Sequence, residues 1–135
     1  MFTKEKELKI YGYLMIFFGV LDIGYLALDI SEVKPLLSDY STAVAIVTYV
    51  FFGVCALITL AKFWMGRQAL CYAKGTGKGT SHIRLAKIAM VFTVLFLATD
   101  VFAWINGTAT ISEALSTATT LIVIHSYYKA AKAFL

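Results

Sequence analysis

KIYGYLMIFFGVLDIGYLALD, residues 9–29, is an apolar run with one carboxylate, Asp22, inside it and a second, Asp29, at its end. As a helix it is long enough to cross the hydrocarbon core of a bilayer, which takes roughly 17 to 25 residues. A second run, KIAMVFTVLFLATDVFAWING at 87–107, also opens on a lysine, and Asp100 follows Lys87 at the thirteen-residue interval that separates Asp22 from Lys9. With two further apolar stretches, spans are expected at about residues 10–28, 42–60, 88–105 and 110–128. The fold class this predicts is all-α: an integral membrane four-helix bundle, forming one four-span transmembrane domain over residues 1–135 with a cytoplasmic loop at about 65–85.

Composition points the same way. Hydrophobic residues make up 60% of the chain, charged residues 15%, and the mean hydropathy is +0.79, whereas soluble domains are about 45–50% apolar and about 25% charged. The short connections leave no room for a soluble catalytic domain. The formal net charge of +4 is explained by where the cations stand, so nucleic acid is not an expected partner. Lys4, Lys6 and Lys9 precede the first span; Lys62, Arg67, Lys74, Lys78, Arg84 and Lys87 flank the loop between spans two and three; Lys129 and Lys132 follow the fourth. Only Lys34 lies elsewhere, beside Asp29, Glu32 and Asp39. Under the positive-inside rule both termini and the loop are cytoplasmic and the hairpin turns lie outside. The expected location is a plasma membrane of bacterial type, with the bilayer itself as the first partner.

Several features have plain explanations. The first span is longer than the roughly 7–15 apolar residues of a signal peptide and no small-x-small site follows it, so it reads as retained. Cys55 and Cys71 are sixteen residues apart on one helical path and read as free thiols. KGTGKGTSH, Lys74 to His82, lacks the glycine spacing of a phosphate-binding loop and is expected to be a basic linker near anionic headgroups, with His82 facing solvent. In span two, Gly53 is the expected point of close helix approach and Ser38 a candidate to start the helix. Asn106-Gly107-Thr108 reads as an outer turn. Spans one and three share four identities in twenty-one positions, among them the acids; this suggests a weak parallel repeat of two helical hairpins.

The chemistry resides in the buried acids. Asp22 and Asp100 each lie seven residues inside the outer end of a span, on the order of 10 Å deep. By the same count span two reaches that level near Tyr49 and span four near Ser116 and Thr117. A polar layer of two carboxylates, a phenol and hydroxyls is therefore expected, with no lysine or arginine at that level. Ionised carboxylates there cost a few kcal/mol, so they are expected to bind protons or cations, or to hydrogen-bond neighbouring helices as protonated acids. Ser112, Ser116 and Thr120 form a small-residue stripe that suits a packing seam or a wet path. His125, about eight residues closer to the cytoplasm, is a candidate proton relay or a simple helix-helix contact. It has no second intramembrane histidine beside it, and neither a metal nor any other cofactor is expected.

Without a nucleophile motif, a redox cysteine pair or a ligand cluster, the chain does not read as an enzyme. The expected function is a small proton- or cation-linked transporter or channel using Asp22 and Asp100. The alternative is a non-catalytic accessory, immunity or regulatory subunit that binds a partner membrane protein. Because four short helices enclose little interior, a homo-oligomer or a complex with such a partner is expected.

Overall fold

The computed structural model describes residues 3–135; Met1 and Phe2 of the charged lead-in lie outside the described residues. The chain forms α1 (Lys4–Val33), a 3-10 segment (Lys34–Asp39), α2 (Thr42–Ala73), α3 (Ser81–Ile105) and α4 (Ile111–Phe134), with no strand among the described residues. Three stretches are long and apolar enough to cross a membrane: Lys4–Asp39, Thr42–Ala73 and Ser81–Ile105. The fourth helix, in which serine and threonine replace many aliphatic residues, falls outside that set. Apolar side chains nonetheless face outward on α4, at Leu115 and Ile122, as on its neighbours: Val47, Phe102 and Ile105 are 68%, 69% and 73% exposed, a surface compatible with lipid.

Local chemistry sets the helix ends. The Thr3 hydroxyl accepts from the Lys6 amide at 3.2 Å, and the Ser41 hydroxyl from the Val44 amide at 3.4 Å, each satisfying one orphan donor of a first turn. Ser41 rather than Ser38 therefore starts α2. Pro35 stands at the start of the 3-10 segment, where its missing amide hydrogen costs nothing. At their C-termini α2 and α3 end alike. Gly75 and Gly107 take positive φ of 83° and 73°, and each is followed by a threonine whose amide returns to the helix: Thr76 to the Cys71 carbonyl and Thr108 to the Ala103 carbonyl, both at 2.9 Å. Glycine amides bond to Tyr72 and Trp104 at 3.0 Å, completing two Schellman motifs. The α2–α3 connection is thus residues 74–80, shorter than the expected 65–85, because both helices extend into that range. It is also held down: the Tyr72 hydroxyl donates to the Gly79 carbonyl, and a Cβ on Gly77 would collide with the Tyr72 ring at 2.4 Å.

The helices alternate in direction and form a four-membered ring in chain order, with closest packing inside the α1–α2 and α3–α4 hairpins. In α1–α2 the backbones nearly touch. A Cβ on Gly66 would lie 2.7 Å from the Gly12 carbonyl oxygen and 2.6 Å from Ile16 Cγ1, while Gly19 packs on the Phe63 ring. Gly53 has nothing within 4 Å of a Cβ; the expected site of close approach is replaced by Gly12 and Gly66, one face further along the helix.

The buried core sits in the half of the bundle that carries the chain ends. Leu8 and Met15 of α1 meet Met65 and Ala69 of α2, Ala86 and Ala89 of α3, and Ile124 and Tyr127 of α4. The Tyr127 hydroxyl donates to the Met65 carbonyl, which is free to accept a second bond in addition to its helical one. His82, expected at the surface, is 1% exposed and stacks on Tyr72 with ring centroids 4.9 Å apart, because α3 begins at Ser81 and its first turn is packed under α2. Gly66→Ala is expected to lower the melting temperature in detergent, at a cost of about 1–3 kcal/mol for overpacking against a backbone carbonyl; Gly53→Ala, facing open space, is expected to leave it unchanged or raise it.

Candidate functional site

The α1 face that packs against α2 runs through Gly12, Met15 and Gly19 at three- and four-residue steps, and the next step is Asp22. On α2 the facing row is Cys55, Thr59, Lys62, Gly66, Ala69 and Ala73, again at alternating steps of four and three that keep it on one side of the helix. Lys62 is thereby aimed inward, and its ammonium forms an ion pair with Asp22 Oδ2. The lysine side chain is 5% exposed and the aspartate 32%. This corrects the expectation that no basic group reaches the acid layer: Lys62, expected to flank the loop between spans two and three, belongs to the interior, where its four-carbon stem lies against helix while its head meets the carboxylate.

A cavity of about 220 Å³ opens above the pair. Asp22, Asp29 and Tyr25 of α1 line it, with Thr59 and Lys62 of α2, Thr93 and Phe96 of α3, and Ser116, Thr117 and Thr120 of α4. Its floor is buried, at Thr59, Lys62 and Thr93, and its rim is exposed at Tyr25 and Asp29, so it opens toward the 3-10 segment and away from the chain ends. Phe51 and Phe96, ring centroids 5.6 Å apart at 71°, close the α2–α3 side.

Most of the hydroxyls in this cavity have already committed their hydrogens. Thr59 donates to the Cys55 carbonyl at 2.9 Å, Thr93 to the Ala89 carbonyl at 2.6 Å and Thr120 to the Ser116 carbonyl at 3.1 Å. A hydroxyl has one hydrogen, so these three present only lone pairs to the cavity. Together with the carboxylates of Asp22 and Asp29 they make a wall of acceptors, and Lys62 is the one cation on it. Such a wall favours cations and hydrogen-bond donors.

Asp100 sits beside this cavity and connects to it through Thr117. The Thr117 hydroxyl lies 2.6 Å from Asp100 Oδ2 and 3.1 Å from the Glu113 carbonyl. Its single hydrogen serves one of them. Both contacts are hydrogen bonds together only when the carboxyl carries a proton, donating to Thr117 while Thr117 donates to Glu113; when the carboxylate is ionised, the threonine turns to Asp100 and releases the carbonyl. Thr117 lines the cavity as well, so a single hydrogen bond links Asp100 to it.

The remaining expected residues separate. Asp22, Ser116 and Thr117 line the cavity, with Asp100 bonded to the last. Tyr49 is 52% exposed and lines no cavity with them, because α1 runs on past Asp29 to Val33 and into the 3-10 segment, so the α2 residues beside Asp22 are Thr59 and Lys62 rather than Tyr49. His125 lines a separate apolar groove between α3 and α4, next to Met90, Val94 and Ile122. Ser112 bonds Thr110 at 2.7 Å at the start of α4. No group of three or more His, Cys, Asp or Glu residues able to hold a metal occurs among the described residues.

A double-mutant cycle tests the ion pair. Lys62→Met, which strands Asp22 in the interior, is expected to lower the melting temperature more than Lys62→Met combined with Asp22→Asn, with a coupling on the order of 0.5–3 kcal/mol; additive effects would mean the two side chains do not interact. Compared with protein-family models, curated proteins and solved structures, the chain matches none.

Proposed function

We propose that all four helices cross a bilayer and that the protein carries a small cation or a proton-linked solute through the cavity at Asp22 and Lys62. α4 has 24 residues, about 36 Å as a helix, which suffices for a crossing. Ser116, Thr117 and Thr120 face the cavity and Thr117 bonds Asp100, while Thr119 bonds back to the Leu115 carbonyl, so their desolvation is offset. An even number of crossings returns the chain to its starting side. Lys4, Lys6, Lys9, Arg67, Lys74, Lys78, Arg84, Lys87, Lys129 and Lys132 all gather at the end bearing the termini, so that end is cytoplasmic and the cavity opens outward.

One observation carries the functional reading: an ion pair lies inside helices that are otherwise apolar, on the wall of a polar cavity. Stability alone does not call for it, since apolar side chains of similar volume often hold helices together equally well or better than a buried salt bridge. Charged groups within membrane spans mark ion, proton and solute paths far more often than they mark packing. In this scheme Asp22 and Lys62 form the solute site and Asp100, reporting through Thr117, is the proton carrier. The cavity lies within one chain, so transport does not require a subunit interface, although exposed apolar faces leave room for assembly.

In proteoliposomes, uptake driven by an inward proton gradient is expected to lose its pH dependence in Asp100→Asn, and to fall at least tenfold in Lys62→Met, with Asp100→Asn folded as judged by its melting curve. Unchanged flux in Asp22→Asn and Asp100→Asn would overturn the proposal. Absence of any flux, with tight co-purification of another membrane protein, would favour the accessory-subunit reading instead.

A further inference from the structure

We infer that the solute of this cavity is a small primary ammonium, held by Asp22 on the oxygen that Lys62 leaves free. The inference rests on the transport reading above and narrows its substrate. Four observations converge on it. Lys62 itself is an alkylammonium seated on Asp22 Oδ2, so the carboxylate is already shown to accept this chemistry, and Oδ1 remains for a second N–H donor. The formal charges in the cavity, Asp22 and Asp29 against Lys62, leave one negative charge over, which one monovalent cation neutralises. The hydroxyls of Thr59, Thr93 and Thr120 have spent their hydrogens on their own helices and offer only lone pairs, suited to the several N–H bonds of a primary ammonium and unsuited to an anion.

The fourth observation separates an organic ammonium from a bare metal cation. Between the acceptors stand carbon surfaces, Leu26, Ile58 and Phe96, with the Tyr25 ring at the rim. An alkali ion gains nothing from those walls. An alkylammonium lays its carbon stem against them and places its charge near an aromatic face. At about 220 Å³ the cavity is below the roughly 300–1,000 Å³ of pockets for drug-sized ligands, so the stem is short. Asp29, exposed at the opening, draws the cation in; Asp22, two turns deeper, holds it without Lys62 having to leave.

The test is equilibrium binding of radiolabelled ethylammonium to the purified full-length protein in detergent, with competitors. Saturable binding is expected, displaced by unlabelled propylammonium and not by acetate or by tetramethylammonium, whose nitrogen has the charge but no N–H. Asp29→Asn is expected to weaken binding by tenfold or more. This residue is exposed and its loss leaves the core intact, so the result does not depend on the Asp22 variant folding. Thr93→Val, which keeps the shape and removes one acceptor, is expected to weaken it as well. Binding that tetramethylammonium or sodium displaces equally, or that Asp29→Asn and Thr93→Val leave unchanged, overturns the inference. Ethylammonium binding without transport in proteoliposomes sustains this site and rejects the transport reading; proton-driven flux of another solute with no ethylammonium binding does the reverse.

Discussion

The pairing of Asp22 with Lys62 depends on how closely α1 and α2 approach, and that approach is set roughly three turns away along α1 and one turn away along α2. Gly12 and Gly66 bring the two backbones within van der Waals distance, so the rows that continue from them are forced together. On α1 the continuation ends in a carboxylate and on α2 it passes through a lysine, whose stem is long enough to climb from its own level to that of the acid. With larger residues at the crossing, the same two charges would face each other across a gap that water or lipid would have to fill. Close packing of small residues is what makes the charge pair affordable in a surrounding of apolar side chains.

The two hairpins treat their acids differently. Asp22 meets a cation on its hairpin partner α2, and Asp100 meets a hydroxyl on its partner α4. The outcome is one carboxylate with a counter-charge beside it and another whose neighbour is an uncharged hydroxyl shared with the Glu113 carbonyl. The weak likeness of spans one and three is thus compatible with divergence in the very residues that complete each hairpin.

Much of the architecture was legible. The apolar windows give four helices, and the Asn106-Gly107-Thr108 turn gives the end of α3 because only glycine enters the left-handed region cheaply. Lys62 is grouped by charge with the cations that flank the α2–α3 loop, whereas its place in the row Thr59, Lys62, Gly66, Ala69 puts it on the face that packs against α1. That row is visible in the letters alone. Tyr49 lies away from the acids for a different reason: the depth count takes Asp29 as the outer end of the first span, whereas α1 continues to Val33 and on into the 3-10 segment. His82 was misjudged because a basic, glycine-rich connection looked loose, when Tyr72 folds it back onto the bundle.

The uneven distribution of packing has a mechanical consequence. The core from Leu8 to Tyr127 grips all four helices near the chain ends, while the opposite half holds a cavity. Helices fastened at one end and separated at the other behave as levers. From Met15 to Asp29 is roughly 21 Å along α1, so a tilt of about 5° at the fulcrum swings the mouth by roughly 2 Å, with scarcely any displacement where the side chains interlock.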